Sequence, residues 1–179
     1  EALRLEPLDA ARPGVFRGSS SPAYWNMVGP FGGTTAATAL QAVLLHPALL
    51  GEPLSLTVNF AAAVAPGDFQ LTARPLRTNR STQHWFIEMT QPDAQGVQSV
   101  LMSATAVTAV RRPTWGQNDS PMPAAPLPQD CSPAAYPDNL AWTQRYDMRA
   151  VRGDFPRLLD GSGEDSTSCR TSSRRSTTL

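Results

Sequence analysis

The chain has 179 residues, 41% of them hydrophobic, which suffices for a packed core in one ordinary domain or two small ones. Its 15 basic residues, all Arg, balance 15 acidic ones and are spread along the chain, so no field favours nucleic acid or an anionic membrane. No apolar run reaches the roughly 20 residues of a membrane span, and the first residues carry no basic segment followed by an apolar core, so a cytoplasmic protein with neither nucleic-acid nor membrane partner is expected.

A first strand is expected around Val15 to Ser19. After Gly29-Pro30-Phe31-Gly32-Gly33, Ala36, Ala37, Ala39, Leu40, Ala42, Val43 and Leu44 predict a helix from Thr34 to about Leu45. That helix is apolar nearly all round, which suits burial on several sides. His46-Pro47 ends it, because the residue before Pro disfavours helical backbone. Four strand signals follow: Leu54 to Val64, Phe69 to Leu76, Thr82 to Thr90 and Val97 to Val110. Pro66-Gly67-Asp68, Arg77-Thr78-Asn79-Arg80 and Pro92-Asp93-Ala94-Gln95-Gly96 separate them as turns, with Asn79 suited to left-handed backbone. The order predicts an α+β fold in which an antiparallel meander wraps one buried helix.

From Pro113 to Asn139 the chain is Pro-rich, a linker composition that sustains neither helix nor central strand. Trp142 to Val151 then reads as one more strand. Beyond Asp160, Ser, Thr and Arg dominate, and such a segment cannot offset its ordering entropy by burial. The organisation expected is a domain over 1–112, a linker over 113–140, and a further domain start with an unstructured tail over 141–179. The abrupt change of composition at the tail fits a shifted reading frame or a truncated gene. Cys131, Cys169, His46 and His84 are far apart in sequence, so neither a metal cluster nor a Cys nucleophile is expected.

With these elements placed, Gly29-Pro30-Phe31-Gly32-Gly33, Leu54-Ser55-Leu56-Thr57-Val58-Asn59-Phe60, Leu76-Arg77-Thr78-Asn79-Arg80-Ser81, Gln91-Pro92-Asp93-Ala94-Gln95-Gly96 and Trp142-Thr143-Gln144-Arg145-Tyr146-Asp147-Met148-Arg149 resemble the double-hotdog acyl-CoA thioesterases of the thioesterase II type. The resemblance covers residues 13 to about 157. It implies a hotdog fold, with a long helix in a curved antiparallel sheet and two such units per chain. It also implies hydrolysis of fatty acyl-CoA to free acid and CoA without a cofactor. In that family the Asp, Thr and Gln that activate water lie in the second hotdog, and residues 158–179 do not resemble it, so no catalytic residue is assigned.

Thioester hydrolysis needs a polarised carbonyl and an activated water. Gly32, Gly33 and Thr34 offer backbone N–H donors at a helix start, where the dipole is positive; the same residues equally form a tight turn with Thr34 as helix cap. Asn59, one polar residue on an apolar strand expected to border the helix, is a candidate to hold water or an acyl carbonyl, or else a structural amide. Arg77 and Arg80 flank a hairpin turn and are candidates for the CoA phosphates, or else solvated turn arginines. The helix holds no Asp or Glu to serve as base, no Gly-x-Ser-x-Gly elbow occurs, and a hotdog dehydratase would need an Asp and a His near the helix. Two functions therefore compete: an acyl-CoA thioesterase or its descendant, and a non-catalytic acyl-thioester-binding or assembly module. A lone hotdog leaves sheet edges and a helix face open, so a homo-oligomer formed through paired sheets is expected.

Overall fold

A computed structural model describes residues 2–9, 11–134, 136, 139–151 and 170–174. The chain divides into two compact units, Glu1–Thr114 and Trp115–Leu179.

The first unit comprises β1 (Glu6–Pro7), β2 (Val15–Ser19), α1 (Gly32–Leu44), β3 (Glu52–Phe60), β4 (Asp68–Thr78), β5 (Thr82–Pro92) and β6 (Gln98–Ala109). The strands form one sheet in the order β1-β2-β4-β5-β6-β3, every pair antiparallel. Successive strand residues face opposite sides, and β5 shows this clearly: Gln83, Trp85, Ile87, Met89 and Gln91 are buried, while His84 is exposed. Their apolar members meet Phe16, Leu71, Ala73, Met102, Ala104 and Ala106 from neighbouring strands and Ala39, Ala42 and Val43 from α1. Each large side chain buried there contributes about 1.5–3 kcal/mol. Alanines at 39 and 42 let helix and sheet approach closely, and the Trp85 Nε1–H, deep in this core, donates to Thr108 Oγ1 at 3.1 Å.

Three details differ from the sequence reading. β3 and β4 are not hairpin neighbours: β3 crosses to the far edge and pairs with β6, because residues 61–67 form a crossover rather than a tight turn. Asn79 does not adopt left-handed backbone, since among the described residues positive φ is confined to glycines. Its side chain instead spans the turn, accepting from Arg77 Nε at 3.1 Å and donating to Thr82 Oγ1 at 3.1 Å. The helix begins at Gly32 rather than Thr34, with Phe31 at the N-cap and no side-chain cap bond. Thr34 is therefore not the cap, because it already lies inside the first turn.

His46, which in sequence merely precedes a proline, is a buried joint at the far end of α1. Its Nδ1 accepts from the Ala48 N–H at 3.1 Å, its ring stands edge-on to Trp85 with centroids 5.0 Å apart, and it hydrogen-bonds the Pro13 backbone. Pro offers only a carbonyl, so the ring is the donor there and the proton of the neutral imidazole sits on Nε2. Burial pushes its pKa down, partly opposed by the bond to Pro13.

In the second unit, Ala141–Arg145 form a 3-10 turn and Tyr146–Ala150 the strand β7, where the sequence predicts one strand from Trp142. Thr143 starts this turn by donating from both N–H and Oγ1 to the Leu140 carbonyl. β7 pairs with β8 (Arg170–Arg174), a stretch whose composition predicts no structure. A strand ladder runs through backbone groups and does not require apolar side chains. The rest of the tail beyond Asp160, including Cys169 and the proposed change of reading frame, lies outside the described residues.

Candidate functional site

The N-terminal end of α1 opens into a groove. Its volume is about 280 Å³, and its walls come from three segments: the loop through Asn26, Val28, Gly29 and Pro30, the helix start at Gly32 and Thr35, and the chain from Phe60 to Val64. Local geometry explains each wall. Asn26 N–H donates to the Gly29 carbonyl at 2.7 Å, which closes the loop, and Phe31 N–H donates to the Tyr24 carbonyl at 2.8 Å, which pins the loop to the helix start. The third wall is set by Gln91 on β5. Its Oε1 accepts from Ala65 N–H at 2.9 Å, and its Nε2 donates to the carbonyls of Ala65 and Asp68 at 3.2 and 3.0 Å.

Within the first turn, the N–H groups of Thr34 and Thr35 donate to the Phe31 carbonyl. Those of Gly32 and Gly33 precede any intrahelical acceptor and form the positive end of the helix dipole. Gly32 faces the groove, where a β-carbon would lie 3.3 Å from Phe60 Cζ. Gly33 is needed for a different reason than close ligand approach: a β-carbon there would run into the Phe31 ring. The Thr34 Oγ1 is buried and makes no hydrogen bond within the protein. Groove polarity is thus limited to backbone groups, the Asn26 amide and the Thr35 hydroxyl. Among the described residues no Asp, Glu or His lines it, and no group of three potential metal ligands comes together.

The other candidates from sequence stand elsewhere. Asn59 is exposed and does not line the groove. Leu56 and Val58 turn inward to the core and Phe60 reaches over Gly32, so the alternation of β3 points Asn59 to the outer face. Arg77 and Arg80 are exposed on the β4–β5 hairpin at the opposite end of α1. There Gln83 donates from Nε2 to Ala48 carbonyl and Thr78 Oγ1, tying the hairpin to the chain that leaves the helix. A helix of 13 residues is about 20 Å long, so Gly32, Gly33 and Thr34 are brought together while Asn59, Arg77 and Arg80 are held apart from them. The sequence did not single out Asn26, Thr35 or Phe60. The Trp25-Asn26-Met27-Val28 run immediately before the glycine turn was the available signal for the first.

A single helix packed on a curved antiparallel sheet, with its start beside an open groove, defines a hotdog unit. Residues 21–109 match the family model described as the acyl-CoA thioesterase N-terminal domain, and the chain belongs to that family of hotdog proteins. A conserved hotdog protein of unknown function from Alicyclobacillus acidocaldarius is 44% identical, with a TM-score of 0.77 over 88% of this chain and 56% of that one. A putative thioesterase II from Thermobifida fusca (18% identical, TM-score 0.70, 84% and 53% covered) shares the fold. So does an acyl-CoA thioesterase II from Mycobacterium marinum (22% identical, TM-score 0.64, 89% and 54% covered). The chain spans just over half the length of each of these structures. No curated protein matches it.

Proposed function

We propose that the first unit is the acyl-thioester-binding hotdog of an acyl-CoA thioesterase, an enzyme hydrolysing fatty acyl-CoA to free acid and CoA. The observation that carries this is the groove at the start of α1, where Gly32, the first residue of a helix whose opening N–H groups precede any intrahelical acceptor, lines a space walled mostly by apolar residues. Donors so placed suit the carbonyl oxygen of a thioester, whose charge grows during hydrolysis. Among the described residues no carboxylate or imidazole lines the groove to activate water, and this favours a second reading for the unit taken alone: it binds acyl-CoA without turning it over. Water activation then belongs to a second hotdog, as in the family the sequence resembles.

The same proposal extends to assembly. Among the described residues β3 ends the sheet with one side unpaired, and exposed Leu54 and Phe60 lie along it, while Leu44 and Leu45 at the helix end are exposed. A long open edge of this kind invites a second hotdog, and a homo-oligomer is the arrangement we propose. Two-fold antiparallel pairing at β3 carries the Arg77 and Arg80 hairpin of one hotdog toward the groove end of the other. This gives the two arginines a role at the CoA phosphates of the neighbouring site, and keeps Asn59 on the outer sheet face near the shared edge. No helix among the described residues is long and apolar enough to cross a membrane, and cytoplasmic acyl-CoA is the proposed substrate pool.

Release of free thiol from acyl-CoA esters of increasing chain length, measured beside direct binding of the same esters, tests both readings. Saturable binding with little or no thiol release is the expected result for this chain. Turnover on the order of 1 per second or faster would place the catalytic groups within it, and absence of binding would overturn the proposal.

A further inference from the structure

The loop before α1 ends in an apolar tip. Trp25 and Pro30 form an antiparallel bridge and the Asn26 N–H donates to the Gly29 carbonyl at 2.7 Å, so the loop is a small closed hairpin with Met27 and Val28 at its turn. These two are 79% and 77% exposed, more than any other large apolar side chain among the described residues of the first unit. Holding two apolar side chains in water on a closed turn forgoes the gain from burying them. The opposite end of the unit carries charge. Arg77 and Arg80 on the β4–β5 hairpin are brought beside Arg111 and Arg112 at the end of β6, because the Val110 N–H donates to the Ser81 carbonyl at 3.0 Å. Arg111 is fixed there by Glu52 Oε2 at 3.1 Å and the Pro53 carbonyl at 3.2 Å. Glu52 is the only acidic residue in the segments that form this end, residues 44–56, 76–86 and 105–114, where Leu76 and Val110 are also exposed. Arginines dispersed in the sequence are thus gathered by the fold into four positive charges against one negative.

Resting on the thioester reading and on the paired arrangement at β3, we propose that these two features form one docking face for an anionic lipid bilayer. Antiparallel pairing turns the arginine end of one hotdog to the same side as the Met27–Val28 tip of its neighbour, and Arg111 and Arg112, on the strand next to β3, come nearest the shared edge. Apolar side chains at a loop tip enter the hydrocarbon boundary while arginines beside them pair with headgroup phosphates; neither contact alone holds a protein firmly, and the two together do. The groove opens next to the tip, since Val28 lines it. Fatty acyl-CoA is itself an amphiphile that dissolves in such a surface, so a hotdog docked this way takes its substrate from the bilayer. An acidic protein surface suits the arginines but leaves the projecting aliphatic pair without a role. This is a surface contact and needs no spanning helix.

The test is co-sedimentation of the full chain with vesicles of phosphatidylcholine alone and of phosphatidylcholine with phosphatidylglycerol, at low and high salt, with acyl-CoA binding in solution measured beside it. The parent is expected to bind the mixed vesicles, to leave the neutral ones unbound, and to lose binding as salt rises. Arg112→Ala is expected to weaken vesicle binding about fivefold and Met27→Asp about tenfold, each with acyl-CoA affinity and melting temperature unchanged. Arg17→Ala serves as the control, because Arg17 stands toward the sheet edge away from β3 and pairs with Glu6, and it is expected to bind as the parent does. A parent that binds acyl-CoA but not the mixed vesicles overturns the docking face and leaves the thioester site standing, as does vesicle binding that survives intact in both Met27→Asp and Arg112→Ala. Failure of the parent to bind acyl-CoA overturns the thioester reading and this inference together.

Discussion

Gln83 and Gln91 stand eight residues apart on the buried face of β5, and each uses its side-chain amide as a substitute peptide group to fasten a loop. Gln83 Oε1 accepts from Leu50 N–H at 2.8 Å and its Nε2 donates to Ala48 carbonyl at 3.0 Å, fixing the exit of α1. Gln91 does the same for Ala65 at the other end, fixing the crossover that forms one wall of the groove.

The two clamps separate stability from binding. Either Gln→Ala change strands backbone groups in a buried setting and is expected to cost about 1–3 kcal/mol in a denaturant melt. Gln91→Ala should in addition weaken acyl-CoA binding, since Ala61 to Val64 lose their anchor, whereas Gln83→Ala should leave affinity unchanged in the folded fraction. Equal loss of affinity in both would show that the groove does not depend on the crossover.

His46 gives the first unit a pH dependence. Its folded pKa is depressed by burial below the ordinary 6.5, so the neutral ring is the form that stabilises the fold. Its contribution is complete above pH 6.5 and is lost as pH falls below that value toward the folded pKa, because protonation removes the Nδ1 acceptor of Ala48 N–H. Melting temperature should therefore decline below pH 6.5 more steeply in the parent than in His46→Gln. Parallel profiles would show that another group governs the acid limb.

Gly14 has φ +93°, and a β-carbon there would collide with the Ala73 carbonyl and the His46 ring. Gly14→Ala combines left-handed backbone with that collision, and the strain alone costs about 1–3 kcal/mol. The melt should fall accordingly, and an unchanged melt would mean that β2 shifts freely against β4.

The sequence made the helix, the long strands and the linker composition legible, because periodicity and Pro or Gly punctuation report local backbone preference. It did not reveal that β3 crosses to the β6 edge, since strand order depends on which faces bury together, and β3 and β4 carry similar patterns. The helix start at Gly32 to Thr34 could be placed because a glycine turn before an apolar helix is a local signal. The reason for Gly33 was not legible: it makes room for Phe31, a contact only the folded loop creates. Asn59 stands in the sequence as one polar residue on an apolar strand expected to border the helix, but the pleat of β3 turns it outward, and one position in register decides between the two faces. Gln83, Gln91 and His46 bond to chain far away in sequence or across an element end, so composition gave them no mark.

Amide chemical shifts recorded while acyl-CoA is titrated into the protein test the site most directly. A thioester carbonyl received at the start of α1 predicts saturable shifts at Gly32 and Gly33, accompanied by Asn26 and Ala62 to Val64, with the outer face around Asn59 unaffected. Shifts that leave Gly32 and Gly33 unmoved while acyl-CoA binds elsewhere on the unit would contradict the account.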